Sequence, residues 1–187
     1  WKVQQGILSA LTLPRLPDEP LDAFADRAML DSKEQARKAA ERGTAIHAAI
    51  QSHFESNRTL GEKDYWPHIG GFVNAIEKPF GLDNWSCEKT IIRHDYGGKT
   101  DFKKLGVTLD VKSKEFSPAD KRLAYEEHCV QLAAYREPGD RCANVFVSVS
   151  YPGLVRIHEW SEDELQRGFS MFKALLDYWY AKTGLKR

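Results

Sequence analysis

Near residue 86 the apolar residues of this chain change period. Upstream they recur at helical spacing, as Ile46, Ile50 and Phe54 do at i, i+4 and i+8. Downstream they alternate, so residues 86–95, 98–104 and 107–114 read as three consecutive strands joined by short glycine turns. A helix over 119–136 follows and stops at Pro138-Gly139, and residues 144–151 (NVFVSVSY) form the clearest buried strand. Residues 154–160 are a fifth strand, and Ser161 with Glu164 is a capping box opening a last helix that runs to about Thr183. Before the switch lie a short helix in 3–11, a break at Pro14, Pro17 and Pro20, a long helix over 32–57, and another from Trp66 that ends near Pro79 and Gly81. The order predicts an α/β domain: a mixed central sheet of about five strands flanked by helices.

Composition narrows the function classes. At 187 residues the chain fits one domain over 1–187, with 1–30 an irregular N-terminal segment. Five Trp, seven Tyr and nine Phe exclude intrinsic disorder. No apolar run is long enough for a membrane span, so no membrane partner is expected. Lys plus Arg equals Asp plus Glu, at 27 each, so a nucleic-acid surface would have to be a local basic patch. Cys87, Cys129 and Cys142 are too few and too scattered for a disulfide framework or an iron–sulfur cluster, and point to a reducing compartment, the cytoplasm. The start at Trp1, without methionine or signal pattern, reads as a missing N-terminal piece.

The informative stretch is 97–114, GGKTDFKKLGVTLDVKSK. In its last strand Val107, Leu109 and Val111 fall on one face and Thr108, Asp110 and Lys112 on the other. Asp110 and Lys112 therefore point the same way, about 6–7 Å apart. A two-residue turn at Leu105-Gly106 would set Asp101 opposite Asp110 and Lys99 opposite Lys112. Facing carboxylates repel, and either a lysine or a hard divalent cation with oxygen ligands offsets that cost. With a lysine beside them, they suit phosphodiester hydrolysis. A lone Asp-x-Lys is common on exposed strands; the facing Asp101 is what lifts this one. His47 borders the apolar stripe of the long helix, as a boundary histidine or a metal ligand. Gln131 and Tyr135 share a helix face at i, i+4.

In order, Arg42-Gly43-Thr44-Ala45-Ile46-His47, Gly98 to Asp101, Asp110-Val111-Lys112, and Gln131 to Tyr135 resemble the RGTxxH, GxxD, DxK and QxxxY motifs of the RecB-type branch of PD-(D/E)XK nucleases. The resemblance spans residues 40–135 and implies a restriction-endonuclease-like core and a metal-dependent DNA exonuclease acting on ends or single strands. It resembles the stand-alone exonucleases of phage or mitochondrial-maintenance type, here in a bacterial or phage-infected cell. His47, Asp101, Asp110 and the Val111 carbonyl would hold Mg²⁺ or Mn²⁺, and Lys112 would activate water. Gln131 and Tyr135 would support the site and meet the DNA, with Arg42, Thr44, Lys99, Lys121 and Arg122 as further contacts. Glu88 is a candidate for the rim. The alternatives are an endonuclease on the same fold and a catalytically idle nucleic-acid-binding module, and related exonucleases include monomers and rings.

Overall fold

The computed structural model describes residues 2–55 and 60–185. The chain falls into two compact units, Trp1–Ala45 and Ile46–Arg187, and helix α2 (Leu21–Phe54) runs through the boundary.

In the first unit, α1 (Lys2–Thr12) is followed by the proline-rich bend and the start of α2. Helix α2 begins eleven residues earlier than its apolar stripe indicates. Pro20 supplies the reason: it stands at the helix entrance, where a missing N–H costs nothing, and its carbonyl accepts from the Phe24 N–H at 3.1 Å. The bend is clamped by Arg27, which donates to both carboxylate oxygens of Glu19 (2.9 and 2.8 Å) and to the Pro14 carbonyl at 2.7 Å. That guanidinium holds the Glu19 carboxyl down to about 2. The helix ends at Phe54; the expected end, Asn57, lies outside the described residues.

The second unit is built on a five-stranded mixed sheet in the order β1 (Ser86–Ile92), β2 (Gly97–Lys104), β3 (Val107–Lys114), β4 (Arg141–Ser148), β5 (Val155–Trp160). Only β3 and β4 pair in parallel; the other three pairs are antiparallel. Helices α3 (Trp66–Phe80), α4 (Glu126–Tyr135) and α5 (Glu162–Thr183) complete the α/β architecture expected from the sequence. One sheet face packs Leu109, Val111, Val145 and Phe102 against Ile46 and Ile50 of α2 and Phe72 and Ile76 of α3. Towards α4 and α5, Cys142 packs with Cys129, Leu132, Ala133 and Leu165. Ser161 caps α5 as its sequence predicts, with Glu164 returning to the Ser161 N–H at 2.9 Å.

Helix α4 is shorter than the expected 119–136. Arg156 of β5 donates to the carbonyls of Pro118 and Asp120, which a helix would need for its own ladder. Asp120 in turn accepts from the Ser117 N–H and hydroxyl at 2.7 and 2.8 Å, closing a turn instead. No helix among the described residues is long and apolar enough to cross a membrane.

Adjacent glycines in α3 make the packing testable. A Cβ on Gly71 would stand 2.5 Å from the Gly153 carbonyl oxygen, whereas one on Gly70 meets nothing within 4 Å. In urea unfolding, Gly70→Ala should stabilise by ~0.5–1 kcal/mol, from helix propensity alone. Gly71→Ala should destabilise by ~1–3 kcal/mol through overpacking. Equal effects at the two positions would contradict this contact.

Candidate active site

The β2–β3 hairpin has the register that a two-residue turn at Leu105-Gly106 dictates: Lys104 faces Val107, Lys103 faces Thr108, and Phe102 faces Leu109. Gly106, at φ 74°, supplies the left-handed turn residue. The ladder ends there, so the facing pairs expected beyond it, Asp101 with Asp110 and Lys99 with Lys112, are not made. By the alternation of an antiparallel ladder the Val111 N–H would go to the Thr100 carbonyl. It goes instead to Asp101 Oδ2, at 2.7 Å. A side-chain carboxylate thus takes the place of a backbone acceptor, and β2 and β3 part at this point.

The neighbouring strand shows the same disturbance. Glu88 belongs opposite Asp101, but the β1–β2 pairing passes from Cys87–Phe102 to Lys89–Thr100 without it. Its backbone sits at φ 50°, a left-handed conformation that costs a non-glycine residue on the order of 1–3 kcal/mol and persists where surrounding structure imposes it. The result is that ligand atoms of His47, Glu88 and Asp101 all lie within 4.8 Å of one another. His47 Nε2 is 3.5 Å from Asp101 Oδ2, a charge contact rather than a hydrogen bond. The same nitrogen is buried with no hydrogen-bond partner among the described residues. Asp101 foremost, then Glu88 and Asp110, raise the imidazole's pKa against the opposing effect of burial.

Beside this group runs a second, tightly bonded set. Lys112 Nζ donates to Asp110 Oδ1 at 2.7 Å and to Gln131 Oε1 of α4 at 3.0 Å. The other oxygen of Asp110 accepts from Asn144 Nδ2 at 2.7 Å, and Asn144 Oδ1 accepts from the Trp160 indole N–H at 2.6 Å. The parallel β3–β4 register sets Asp110 beside Asn144, which is fully buried. Asp110 itself is 5% exposed, because α4 covers what reads in sequence as a polar strand face. Burial raises its carboxyl pKa; Lys112 opposes this and Asp101 adds to it. Tyr135 packs where Gly98 has no side chain: a Cβ there would overlap the phenol ring, so the bare glycine lets the helix and strand close together.

Of the residues singled out by sequence, the structure thus gathers His47 with Asp101, Asp110 with Lys112 and Gln131, and Gly98 with Tyr135. Val111 is buried and contributes its N–H to Asp101. Lys99 pairs with Glu88 at 3.2 Å. Lys121 and Arg122 are exposed in the segment before α4 rather than in the helix. Arg42 and Thr44 belong to the first unit and are exposed, the Thr44 hydroxyl donating to the Ala40 carbonyl at 3.0 Å. Glu88 is central where the sequence placed it at the rim, and only its pairing position opposite Asp101 could have said so. Asn144 and Trp160 gave no signal, since each sits in a run that reads as plain strand. No protein-family model matches the chain, and no curated protein matches it.

The raised Asp110 carboxyl carries a sign. A group whose folded pKa exceeds its unfolded value binds more protons when folded, so its contribution to stability declines as the pH rises above 3.8. In EDTA, Asp110→Asn should therefore gain stability on the parent as the pH goes from about 4 to about 8. A difference independent of pH, measured by thermal unfolding across that range, would contradict the buried, raised carboxyl.

Proposed function

We propose that this chain is a Mg²⁺- or Mn²⁺-dependent DNA exonuclease of the RecB-like PD-(D/E)XK type, hydrolysing phosphodiester bonds at DNA ends or in single strands. The observation that carries the reading is His47 Nε2, buried without a hydrogen bond and 3.5 Å from Asp101, in a cluster with Glu88 and Asp101 next to the Asp110–Lys112 pair. The two carboxylates suit Mg²⁺ and Mn²⁺, the imidazole nitrogen favours Mn²⁺ over the harder Mg²⁺, and a nitrogen that lacks a hydrogen bond gains a ligand bond when such an ion binds.

A bound ion would polarise a phosphoryl oxygen and lower the pKa of a water. The chain's own groups do the rest. Lys112 keeps its ammonium at the site by bonding Asp110 and Gln131, with its side chain 30% exposed, so one donor direction remains for a water or a phosphate oxygen. Asp110 is fixed by Asn144 and Trp160 on one oxygen and by Lys112 on the other, which limits its rotation. Asp101 is fixed by the Val111 N–H. These contacts orient three charged groups before substrate arrives, which is what electrostatic stabilisation of a phosphoryl transition state requires.

The test is a cleavage assay on end-labelled linear DNA and on covalently closed circles, with Mg²⁺, Mn²⁺ or EDTA. Metal-dependent loss of the linear DNA alone is expected; cutting of the circles would move the reading to an endonuclease, and no cleavage with any metal to an idle binding module. Lys112→Ala should slow cleavage by ~10²–10³-fold or more while the protein still folds and binds DNA. Glu88→Gln should raise the Mn²⁺ concentration needed by at least ~10-fold. Unchanged Mn²⁺ dependence in Glu88→Gln would remove Glu88 from the metal set.

A further inference from the structure

The segment before α4 carries a feature that the metal cluster and Lys112 leave unused. Tyr125, at the entrance of α4, is 38% exposed and has two cations against its ring: Lys114 Nζ at 5.1 Å from the centroid and the Arg122 guanidinium at 5.3 Å. Elsewhere the chain's arginines are largely neutralised, since Arg27, Arg93, Arg136 and Arg141 each hold a glutamate. Lys114, Lys121, Arg122 and Arg156 form no ion pair with a described carboxylate. They set four cations on one surface, where Lys114 and Arg156 act on the nearby Asp120 carboxylate without forming a close ion pair, and Glu126 and Glu127 open α4 beside them.

This surface is braced and continuous with the catalytic lysine. The Tyr125 N–H donates to His128 Nδ1 at 3.2 Å, and the His128 ring rests on Phe146, 5.5 Å between centroids. Arg156 pins the preceding turn through the Pro118 and Asp120 carbonyls. Across the sheet Lys112 is in register with Phe146, and Phe146 with Arg156, so the floor under Tyr125 is the strand row that carries Lys112. Lys114 projects to the same side as Lys112, about 6–7 Å further along β3. That distance is of the order of one nucleotide's step along an extended strand.

Building on the nuclease reading, we propose that Tyr125 is a stacking platform for one unpaired base of single-stranded DNA, whose phosphates pass Lys112 and are met by Lys114 and Arg122. Lys114 and Arg122 lie over the ring; when they turn to the phosphates on either side, the face they cover opens to a base, and stacking of this kind is tolerant of sequence. A base inside a duplex has both faces covered by its neighbours and cannot use the ring. The strand that reaches Lys112 is therefore unpaired on the Tyr125 side, and single-stranded DNA is the preferred substrate.

The test uses a short single-stranded oligonucleotide containing 2-aminopurine, titrated with the full chain in EDTA, where stacking is read as quenching without any cleavage. The parent should quench it, and a blunt duplex with the same base should not be quenched. Tyr125→Ala should lose the quench and bind the single strand about 5- to 100-fold more weakly. Tyr125→Phe keeps the ring and should restore the quench, which separates stacking from loss of fold. Binding by Tyr125→Ala within about twofold of the parent, or equal quenching of single strand and duplex, would overturn the platform. Metal-dependent cleavage of the same oligonucleotide is read separately. Cleavage without quenching sinks the platform and keeps the nuclease, and quenching without cleavage does the reverse.

Discussion

The bond from the Val111 N–H to the Asp101 carboxylate is the interaction on which the geometry of the candidate site depends. A hydrogen bond to a charged acceptor contributes roughly 1.5–3 kcal/mol net, more than an ordinary backbone bond, so the carboxylate can displace a ladder carbonyl. Once it does, β2 and β3 part beyond Phe102 and Leu109. The opening brings Asp101 within reach of His47 from α2 and of Glu88 from β1, three elements far apart in sequence. It also gathers negative charge: Asp101, Glu88 and Asp110 together raise the His47 imidazole, and Asp101 raises Asp110. Such a cluster is unfavourable by itself, and a protonated histidine, a lysine or a divalent ion relieves it.

Support for the site comes from the opposite side of the sheet's central pair. Because β3 and β4 run parallel and in register, Asp110 lies beside Asn144, and the antiparallel β5 brings Trp160 to Asn144. The chain from Trp160 through Asn144 to Asp110 leaves no buried polar atom of these three side chains unbonded, as a buried carboxylate requires. Helix α4 then supplies Gln131 to Lys112 and Tyr135 to the gap above Gly98. One face of the sheet is thus nearly all hydrocarbon, while the other combines apolar packing with the polar row, and the apolar face holds the strands while the polar row points the chemistry.

Much of this was legible in the chain. A change of period marked β1 to β3 and an apolar run marked β4, and the Leu105-Gly106 turn set the three pairs next to it, though not the Asp101–Asp110 and Lys99–Lys112 pairs expected beyond them. The order of the elements followed from boundary signals at Gly81, Gly106 and Ser161, whereas α2 starts just after Pro20, eleven residues ahead of the start that its sequence predicts. The illegible parts share one physical cause: a distant group changes the local answer. Residues 121–124 have helix-compatible side chains, yet Arg156, far along the chain, takes the carbonyls that a helix there would use. Pairing rules extend a ladder until a turn ends it and know nothing of an aspartate that competes for the N–H. Glu88 has nothing in its own sequence context to announce a left-handed backbone. Asn144 sits in a buried run, where an amide that holds a carboxylate looks the same as one that merely fits.

Anomalous diffraction at the manganese edge, from crystals of this chain grown with Mn²⁺, tests the central claim most directly. The account predicts one strong peak about 2.0–2.4 Å from His47 Nε2 and from a carboxylate oxygen each of Glu88 and Asp101, with Lys112 Nζ outside the coordination sphere. No peak there, or a peak bound only by groups outside this cluster, would contradict the reading of the β2–β3 opening as a metal site.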